Sequence, residues 1–294
     1  MRRPPRMLPA LVTPFDRRGE TDLDAHRHNL AVLSERGVAG FLIAGSTGEG
    51  PLLEPGEREA LTGAARRALP RAFLLGGIAA ESSRAALRQA EEHAAGGADA
   101  VLALTPTTVV RGRHELVAGF FADLADHSPL PVLLYSFPRL TAYEIPLEVI
   151  AGLAEHPNVA GMKDSGGEPV RAAAVVSATP ERFLLFTGAS AAVSLAVAAG
   201  AYGAITASAN HLPGLVAEVV RRARRSPANA AGAQRTLTTA AAAIERYGIP
   251  GTKAAAALAG LRPGSARAPL RPLRRSEAAA VRSAWEAAAL PGSG

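Results

Sequence analysis

Eight short apolar runs recur along the 294-residue chain, and each is followed by a segment with helical signals. Their residues are almost continuously apolar rather than alternating, which is the pattern of strands buried on both faces of a parallel sheet. The runs are 7–12, 40–44, 73–78, 98–104, 131–135, 159–163, 183–187 and 203–207. Eight strands alternating with helices, with no break in composition, predict an α/β fold closed into a TIM-type (β/α)8 barrel.

The stretches between the apolar runs begin and end with residues that are typical of helix termini. The segments that begin at Thr21, Glu54 and Glu81 open with acidic or hydroxyl residues and end at or just before glycine or proline. Such residues cap helices at their two ends. A doubly wound open sheet is the alternative, but it normally carries a glycine-rich fingerprint after its first strand, where this chain has Thr13-Pro14-Phe15.

Four further helical stretches follow the eighth run, at 215–225, 229–247, 253–261 and 277–290. They exceed the single helix that a barrel needs after its last strand. We therefore predict a barrel over residues 1–210. Residues 211–294 are expected to form the last barrel helix and an appended helical region of the same domain.

Composition excludes several kinds of site. The chain has no cysteine, which rules out disulfides, thiolate catalysis and cysteine-bound zinc. Its 7 histidines are scattered and form no His-Glu-x-x-His motif, so we predict no metal site. No apolar run reaches the ~18 residues of a membrane-spanning helix, and the Arg- and Pro-rich start is unlike a secretory signal. We expect a cytoplasmic protein without a membrane partner.

The chain is basic, with a net charge of +6 and its densest arginine runs at 221–225 and 271–275. No nucleic-acid motif accompanies these runs, and aromatic residues, on which bases stack, make up only 4% of the chain. We interpret the runs as a solvated surface and predict no nucleic-acid partner. A positive field could still attract small anionic ligands.

Polar residues close most of the apolar runs, and in a (β/α)8 barrel the C-terminal strand ends surround the active site. The residues that would share this mouth are Thr13, 45–49, 135–136, 163–165, 187–188 and 206–208. The sequence therefore predicts one polar site assembled from six strand ends.

Lys163 stands out in this set because the chain has only two lysines among its 32 lysine and arginine residues. A lysine desolvated at a strand end can lose its proton, and the free amine can then attack a carbonyl carbon, which an arginine cannot do. The alternative is a lysine that pairs with a neighbouring carboxylate such as Asp164. The second lysine, Lys253, lies in the late helices, where we expect it at the surface.

Two more strand ends carry suitable groups. Tyr135 ends the fifth run, beside the sixth, where its phenol could pass protons to and from a substrate held on Lys163. The turn Gly45-Ser46-Thr47-Gly48 offers hydroxyl and N–H donors that suit a carboxylate. It lacks the Gly-Lys-Ser/Thr sequence of a phosphate loop.

Four motifs together resemble the dihydrodipicolinate synthase / N-acetylneuraminate lyase family over nearly the whole chain. They are Thr13-Pro14-Phe15, Gly45-Ser46-Thr47-Gly48-Glu49, Tyr135-Ser136-Phe137-Pro138 and 161–167. The resemblance implies a barrel with C-terminal helices, usually a homotetramer, that needs no metal or organic cofactor. It further implies Lys163 as the Schiff-base former, Tyr135 as the proton carrier and Ser46-Thr47 as carboxylate binders. Gly188 and Ile205 match positions that line the family's pocket.

Within that family the chain looks most like 4-hydroxy-2-oxoglutarate aldolases. The matching segments are 111–113, 161–167, 246–251 and 267–270. In such enzymes the serine after the lysine holds a polar group of the substrate, which makes Ser165 a candidate. The resemblance implies a class I lyase that cleaves a 4-hydroxy-2-oxo acid and releases a product of the pyruvate type.

Two departures from the family pattern leave other activities open. Synthases of the dihydrodipicolinate type carry an arginine where this chain has Leu140, and here an arginine stands one residue earlier, at Arg139. The family usually has a tyrosine after the strand-four Thr-Pro, but here residues 107–110 are Thr-Thr-Val-Val. Thr107, Thr108, a water or Tyr143 would have to take over the role of that tyrosine in proton transfer. The alternatives are a Schiff-base dehydratase, hydratase-aldolase or condensing enzyme, or a non-catalytic 2-oxo-acid-binding barrel.

Overall fold

Eight parallel strands form the centre of the structure, a computed structural model that describes residues 2–289. Every predicted run overlaps one of them, and β5 and β6 extend one residue beyond their runs. The strands are β1 Met7–Pro9, β2 Gly40–Ile43, β3 Phe73–Ile78, β4 Ala100–Leu104, β5 Val132–Ser136, β6 Val159–Asp164, β7 Leu184–Thr187 and β8 Gly203–Thr206.

The strands close on themselves. Their hydrogen-bonded order is β1-β8-β7-β6-β5-β4-β3-β2. The remaining gap between β1 and β2 is bridged where Ala10 pairs with Leu42 and Leu11 N–H donates to Leu42 O at 2.9 Å. The predicted barrel is confirmed, and the open doubly wound sheet is wrong.

The barrel interior is packed with side chains rather than open. Because successive residues of a strand point to opposite sides, every second apolar residue faces inward. The inward set is Leu8, Ala10, Leu42, Phe73, Leu75, Ala100, Leu102, Leu104, Leu133, Tyr135, Phe186 and Ile205. This plug closes the bottom of the site, and the polar residues at the strand ends lie above it at the mouth.

Helices surround the barrel and continue beyond it. They are α1 Leu23–Glu35, α2 Glu57–Ala68, α3 Ser83–Ala95, α4 His114–His127, α5 Pro138–Thr141, α6 Leu147–Ala154, α7 Pro169–Ala178, α8 Val193–Ala198, α9 Pro213–Ala223, α10 Pro227–Glu245, α11 Gly248–Leu258 and α12 Arg275–Ala289. Asp22 and Ser82 cap α1 and α3 by accepting hydrogen bonds from backbone N–H groups, as their start signals predicted.

The four appended helices overlap the predicted stretches and begin two to five residues earlier, with the largest difference at the start of α11. Helix α11 begins at Gly248, before the predicted start at Lys253. Pro250 falls in its first turn, where a missing N–H removes no intrahelical hydrogen bond, so the helix can begin ahead of the proline. The predicted end of the last helix at Leu290 lies outside the described residues.

Helix α10 connects the appended region to the barrel mouth. Its buried face includes Leu237, Ala241 and Ile244, and it packs on α9 and on the turn at 190–192 that follows β7. One end of α10 therefore reaches the strand ends. This contact brings residues from outside the barrel to the site.

Within residues 2–289 no helix combines the length and apolar character needed to cross a membrane. The arginines of 221–225 and 271–275 are exposed, as expected for a solvated surface.

Candidate active site

A cavity of about 480 Å³ lies at the C-terminal ends of the strands. Its walls come from β5 and β6, from the turns after β2, β7 and β8, and from α5 and α10. Lys163, Tyr135, Thr47, Ser165 and Gly188 all line it, so the structure brings five of the seven predicted site residues together. The volume is in the range of small-molecule sites.

Lys163 is held in the cavity by a hydrogen bond to the phenol of Tyr135. Its side chain is only 4% exposed, and Nζ donates a hydrogen bond to the phenol oxygen of Tyr135 at 3.0 Å. Strands β5 and β6 set this distance because Tyr135 and Lys163 are directly paired in the parallel register. The Lys163–Asp164 ion pair, the alternative from the sequence, is wrong, since the Asp164 carboxylate accepts from Arg171 Nε at 2.7 Å and from Gly166 N–H.

Gly188 leaves the space that Lys163 and Ser165 occupy. A Cβ atom at this position would lie 2.0 Å from Ser165 Oγ and 2.6 Å from Lys163 Cε. Its N–H donates to Asp164 O at 2.6 Å, so β7 stays close to β6 at the end of both strands. Any side chain here would displace the amine, which explains why the position needs glycine.

Tyr135 lies between the amine and a hydroxyl. Its phenol oxygen is 3.5 Å from Ser165 Oγ, and its ring stacks on Phe137 with centroids 5.7 Å apart. Thr105 Oγ1 donates to the Tyr135 carbonyl at 2.9 Å and fixes the end of β5. A phenol in contact with both the nucleophile and a second hydroxyl can relay a proton between them.

The turn after β2 presents Thr47 to the cavity. Ala44 and Glu49 flank it with φ of 58° and 59°, in the left-handed region that non-glycine residues seldom adopt. Thr13 Oγ1 donates to Gly48 O at 2.6 Å and ties the turn to the end of β1. Ser46 lies in the same turn and is half-buried, but it is outside the residues that line the cavity.

Lys253 is buried beneath this turn, so the predicted surface position is wrong. Its side chain is 4% exposed, and Nζ lies 2.5 Å from Glu49 Oε1 and donates to Ser265 O at 2.6 Å. Arg267 N–H donates to the other Glu49 oxygen at 2.7 Å. Burial lowers the pKa of Lys253 while Glu49 opposes this shift. The buried Glu49 carboxylate needs a cation, and the C-terminal region supplies one.

The strand-four loop turns its hydroxyls away from the cavity. Thr107 Oγ1 donates to Glu81 at 2.6 Å, and the Thr108 N–H donates to the same carboxylate. Tyr143 OH is hydrogen-bonded to His114 Nδ1 at 2.9 Å. None of these three substitutes for the missing tyrosine lines the cavity.

The cavity of this chain differs at two places from what the family resemblance implies. Ile205 is fully buried in the barrel interior and lies below the cavity instead of lining it. Arg139 lines the cavity, whereas Leu140 is half exposed. The shifted arginine therefore reaches the site from the preceding position.

Sequence reasoning missed the polar residues that α10 and the turns after β7 and β8 contribute. Ser190 Oγ and Ser208 Oγ donate to Glu245 Oε1 at 2.8 Å and 2.7 Å, and Glu245 and Arg246 line the cavity. Ser208 lay within a predicted strand end. Glu245 follows no strand, so strand-end reasoning had no signal for it.

Among residues 2–289 no three histidine and carboxylate side chains converge as a metal site. The groups that converge on the cavity include an amine, a phenol and hydroxyls. Their chemistry is that of carbonyl capture and proton transfer.

Comparison with known proteins agrees with this geometry. Residues 3–288 match the family model described as the dihydrodipicolinate synthetase family. The chain is 34% identical to the 4-hydroxy-tetrahydrodipicolinate synthase of Xanthomonas campestris over 289 residues, which cover 97% of this chain and 95% of that protein.

Two solved structures share the fold. DHDPS from Cyanidioschyzon merolae with lysine bound superposes with a TM-score of 0.90 at 26% identity, covering 97% and 98% of the two chains. A prophage protein of the dihydrodipicolinic acid synthase family from E. coli K12, in complex with pyruvate, gives 0.90 at 24% identity and the same coverage. The chain therefore belongs to the dihydrodipicolinate synthetase family and is a carbon–carbon lyase of the Schiff-base, class I type.

Proposed function

We propose that this lyase cleaves a 4-hydroxy-2-oxo acid, with Lys163 as the nucleophile and pyruvate or a related 2-oxo acid as one product. The single observation that supports this most strongly is the buried Lys163 amine, 3.0 Å from the Tyr135 phenol inside the cavity. The pyruvate complex of the E. coli K12 prophage protein supports a 2-oxo acid as ligand.

The reaction begins with covalent capture. The neutral Lys163 amine attacks the C2 carbonyl, and the oxygen leaves as water after protonation by Tyr135, which gives an iminium ion. Tyr135 is the suitable donor because it already contacts the amine. Thr47 and Ser165, both on the cavity wall, supply hydroxyls for the carboxylate and nearby polar groups, with Ser46 behind Thr47 in the same turn.

The iminium then accepts the electrons of the breaking bond. Loss of the C4 hydroxyl proton to Tyr135 forms the aldehyde, the C3–C4 bond breaks, and its electron pair becomes the enamine of the product. Protonation at C3 and addition of water to C2 release the 2-oxo acid and restore the free lysine. We assign these proton transfers to Tyr135, whose phenol contacts both the Lys163 amine and the Ser165 hydroxyl.

A condensing activity is the second candidate. The X. campestris relative is named 4-hydroxy-tetrahydrodipicolinate synthase. Arg139 lines the cavity, so the shift of one residue does not remove a guanidinium from the site. The cavity walls carry no replacement for the strand-four tyrosine among Thr107, Thr108 and Tyr143, which argues against full synthase activity because an acid–base partner contributes about 100-fold to 10,000-fold.

Borohydride trapping with pyruvate tests the common intermediate. We expect one reduced adduct per chain, located on Lys163 by peptide mass spectrometry and absent from Lys163→Arg. An adduct on Lys253 instead, or none, would contradict the proposal and favour the non-catalytic 2-oxo-acid-binding barrel. Lys253→Arg is the matched control.

Product assays separate the two activities. Retro-aldol turnover of 4-hydroxy-2-oxoglutarate is followed as released pyruvate, and condensation is followed as pyruvate consumed with aspartate semialdehyde. We expect turnover in the first assay. Turnover in the second assay alone would replace the lyase proposal with the synthase. Light scattering of the same preparation checks the expected homotetramer.

A further inference from the structure

Glu245 is a carboxylate that the lysine chemistry does not use. It comes from the end of α10 and lines the same cavity as Lys163. Its Oε1 accepts hydrogen bonds from Ser190 Oγ at 2.8 Å and Ser208 Oγ at 2.7 Å. Both serines are almost completely buried. A carboxylate fixed by two buried hydroxyls in a catalytic cavity is positioned to contact the substrate.

Hydrogen bonds hold the Glu245 side chain and its helix in place. Ser208 Oγ also lies 2.9 Å from Ser190 Oγ, so the three groups form one hydrogen-bonded cluster. Gln234, three helical turns earlier on α10, donates to Ser190 O at 3.0 Å and accepts from Ser194 N–H at 2.8 Å. Helix α10 is therefore joined to the turn after β7 at two points along one face.

One oxygen of Glu245 is left for a ligand. The Oε2 atom receives no hydrogen bond from the part of the chain that the structure describes. A carboxylate oxygen on a cavity wall accepts a hydrogen bond from a hydroxyl and repels another carboxylate.

The positive charges of the cavity do not cancel this preference. Arg139 and Arg246 line the cavity but are exposed, and the Arg246 guanidinium lies over the Tyr247 ring at 5.2 Å. Exposed guanidinium groups are screened by water and are not held in one position. They attract an anionic acid to the mouth, whereas Glu245 determines what can lie against α10.

We infer that the Ser190–Ser208–Glu245 cluster selects the distal end of the substrate, favouring a tail that carries hydroxyls over a tail that ends in a second carboxylate. The inference rests on the proposed lysine chemistry and narrows its substrate class. Sugar-acid-like 2-oxo acids would be preferred, and 4-hydroxy-2-oxoglutarate would be cleaved, but more slowly than such acids.

Competitive trapping tests the inference without requiring turnover. The protein is reduced with borohydride in an equal mixture of 2-oxoglutarate and 5-hydroxy-2-oxopentanoate, which differ only in their terminal group and cannot be cleaved because both lack a 4-hydroxyl. Intact mass gives the partition between the two adducts. Each acid has the same solution equilibria with every variant, so a change in partition reports on the protein alone.

We expect Glu245→Gln to shift the partition toward 2-oxoglutarate about tenfold or more, because the amide keeps the shape and an acceptor for the serines but removes the charge. Ser208→Ala should shift it in the same direction by less, since it loosens the carboxylate. Glu218→Gln, which removes a charge on α9 outside the cavity lining, controls for net charge and should leave the wild-type partition.

An unchanged partition in Glu245→Gln, or a shift toward the hydroxy acid, overturns the inference. Adducts with pyruvate but with neither five-carbon acid also overturn it, because the cavity would then not admit a tail. If Glu245→Gln does not fold, Ser208→Ala decides by the same criterion. Absence of any pyruvate adduct in the wild-type protein would remove the proposed function itself, which is a separate outcome.

Discussion

The two lysines of this chain are buried to the same extent but have different surroundings. Lys163 and Lys253 are each 4% exposed. Lys163 donates to a neutral phenol in an open cavity, whereas Lys253 lies against the Glu49 carboxylate and the Ser265 carbonyl. Burial alone therefore does not distinguish a nucleophile from a structural cation.

The two lysines differ in the group that accepts their hydrogen bond. A carboxylate stabilises the charged form of a lysine, and a pair that is fully enclosed has no access to substrate. A phenol can accept or donate a proton and leaves the amine free to become neutral. Lys253 also stacks over Phe15 together with Arg267, which holds the C-terminal region against the turn that carries Thr47. We propose that Lys163 performs the chemistry, whereas Lys253 supports the wall of the site.

Replacing each lysine by a group of similar size should give opposite phenotypes, and the largest effect belongs to Lys163. Lys163→Arg should lower turnover by about 10,000-fold or more, because guanidinium stays protonated and cannot form the iminium. Steady-state kinetics measures the loss. The thermal midpoint should stay near that of the wild type, and a large drop in that midpoint would show that Lys163 is a structural cation too.

Tyr135→Phe tests whether the phenol beside Lys163 transfers protons. We expect turnover to fall by about 100-fold to 10,000-fold, because the proton carrier is lost while the ring still fills its place. Single-turnover borohydride trapping should still yield the Lys163 adduct, but more slowly. Turnover within threefold of the wild type would mean that Ser165 or water moves the proton.

Lys253→Met should leave the chemical step at Lys163 unchanged and reduce the stability of the fold. Removing the cation leaves Glu49 buried without its partner, at a cost of about 3–5 kcal/mol in the free energy of unfolding. Urea denaturation measures it. The double variant Lys253→Met/Glu49→Gln should recover part of the loss, and a cost below about 1 kcal/mol for Lys253→Met would show that the pair is solvated.

Each of three buried histidines gives a smaller effect than these replacements and extends the comparison to uncharged groups. Burial lowers the pKa of His26, His93 and His211 to about 4. Between pH 6.5 and 4 the unfolded chain binds protons that the folded chain does not, so stability falls as the pH drops through this window. Each histidine should contribute about 2 kcal/mol of this loss at pH 5.

The measurement is the urea midpoint between pH 7 and pH 5. His93→Gln should reduce its pH dependence by about a third, because one of the three rings, which contacts Thr62 and Gly77, no longer titrates. An identical slope in this variant would show that His93 is protonated in the folded protein.

Much of the site was predictable because barrel geometry converts strand-end positions into neighbours. Lys163, Tyr135, Thr47, Ser165 and Gly188 were chosen by sequence, and all five meet at one cavity. Ile205 was not distinguishable from them by position, since the sequence does not show on which side of the mouth a strand-end side chain lies. Ser46 shares the turn with Thr47 but is not among the residues that line the cavity.

By itself the sequence determined the eight strands, their order and the lysine that we propose as the Schiff-base former. Apolar periodicity and residue chemistry are local properties that the chain displays directly. Only the tertiary structure decided that Lys253 pairs with Glu49 and that Glu245 reaches the cavity from α10. Both contacts join segments far apart in the chain, and their distance depends on how the appended helices pack against the barrel.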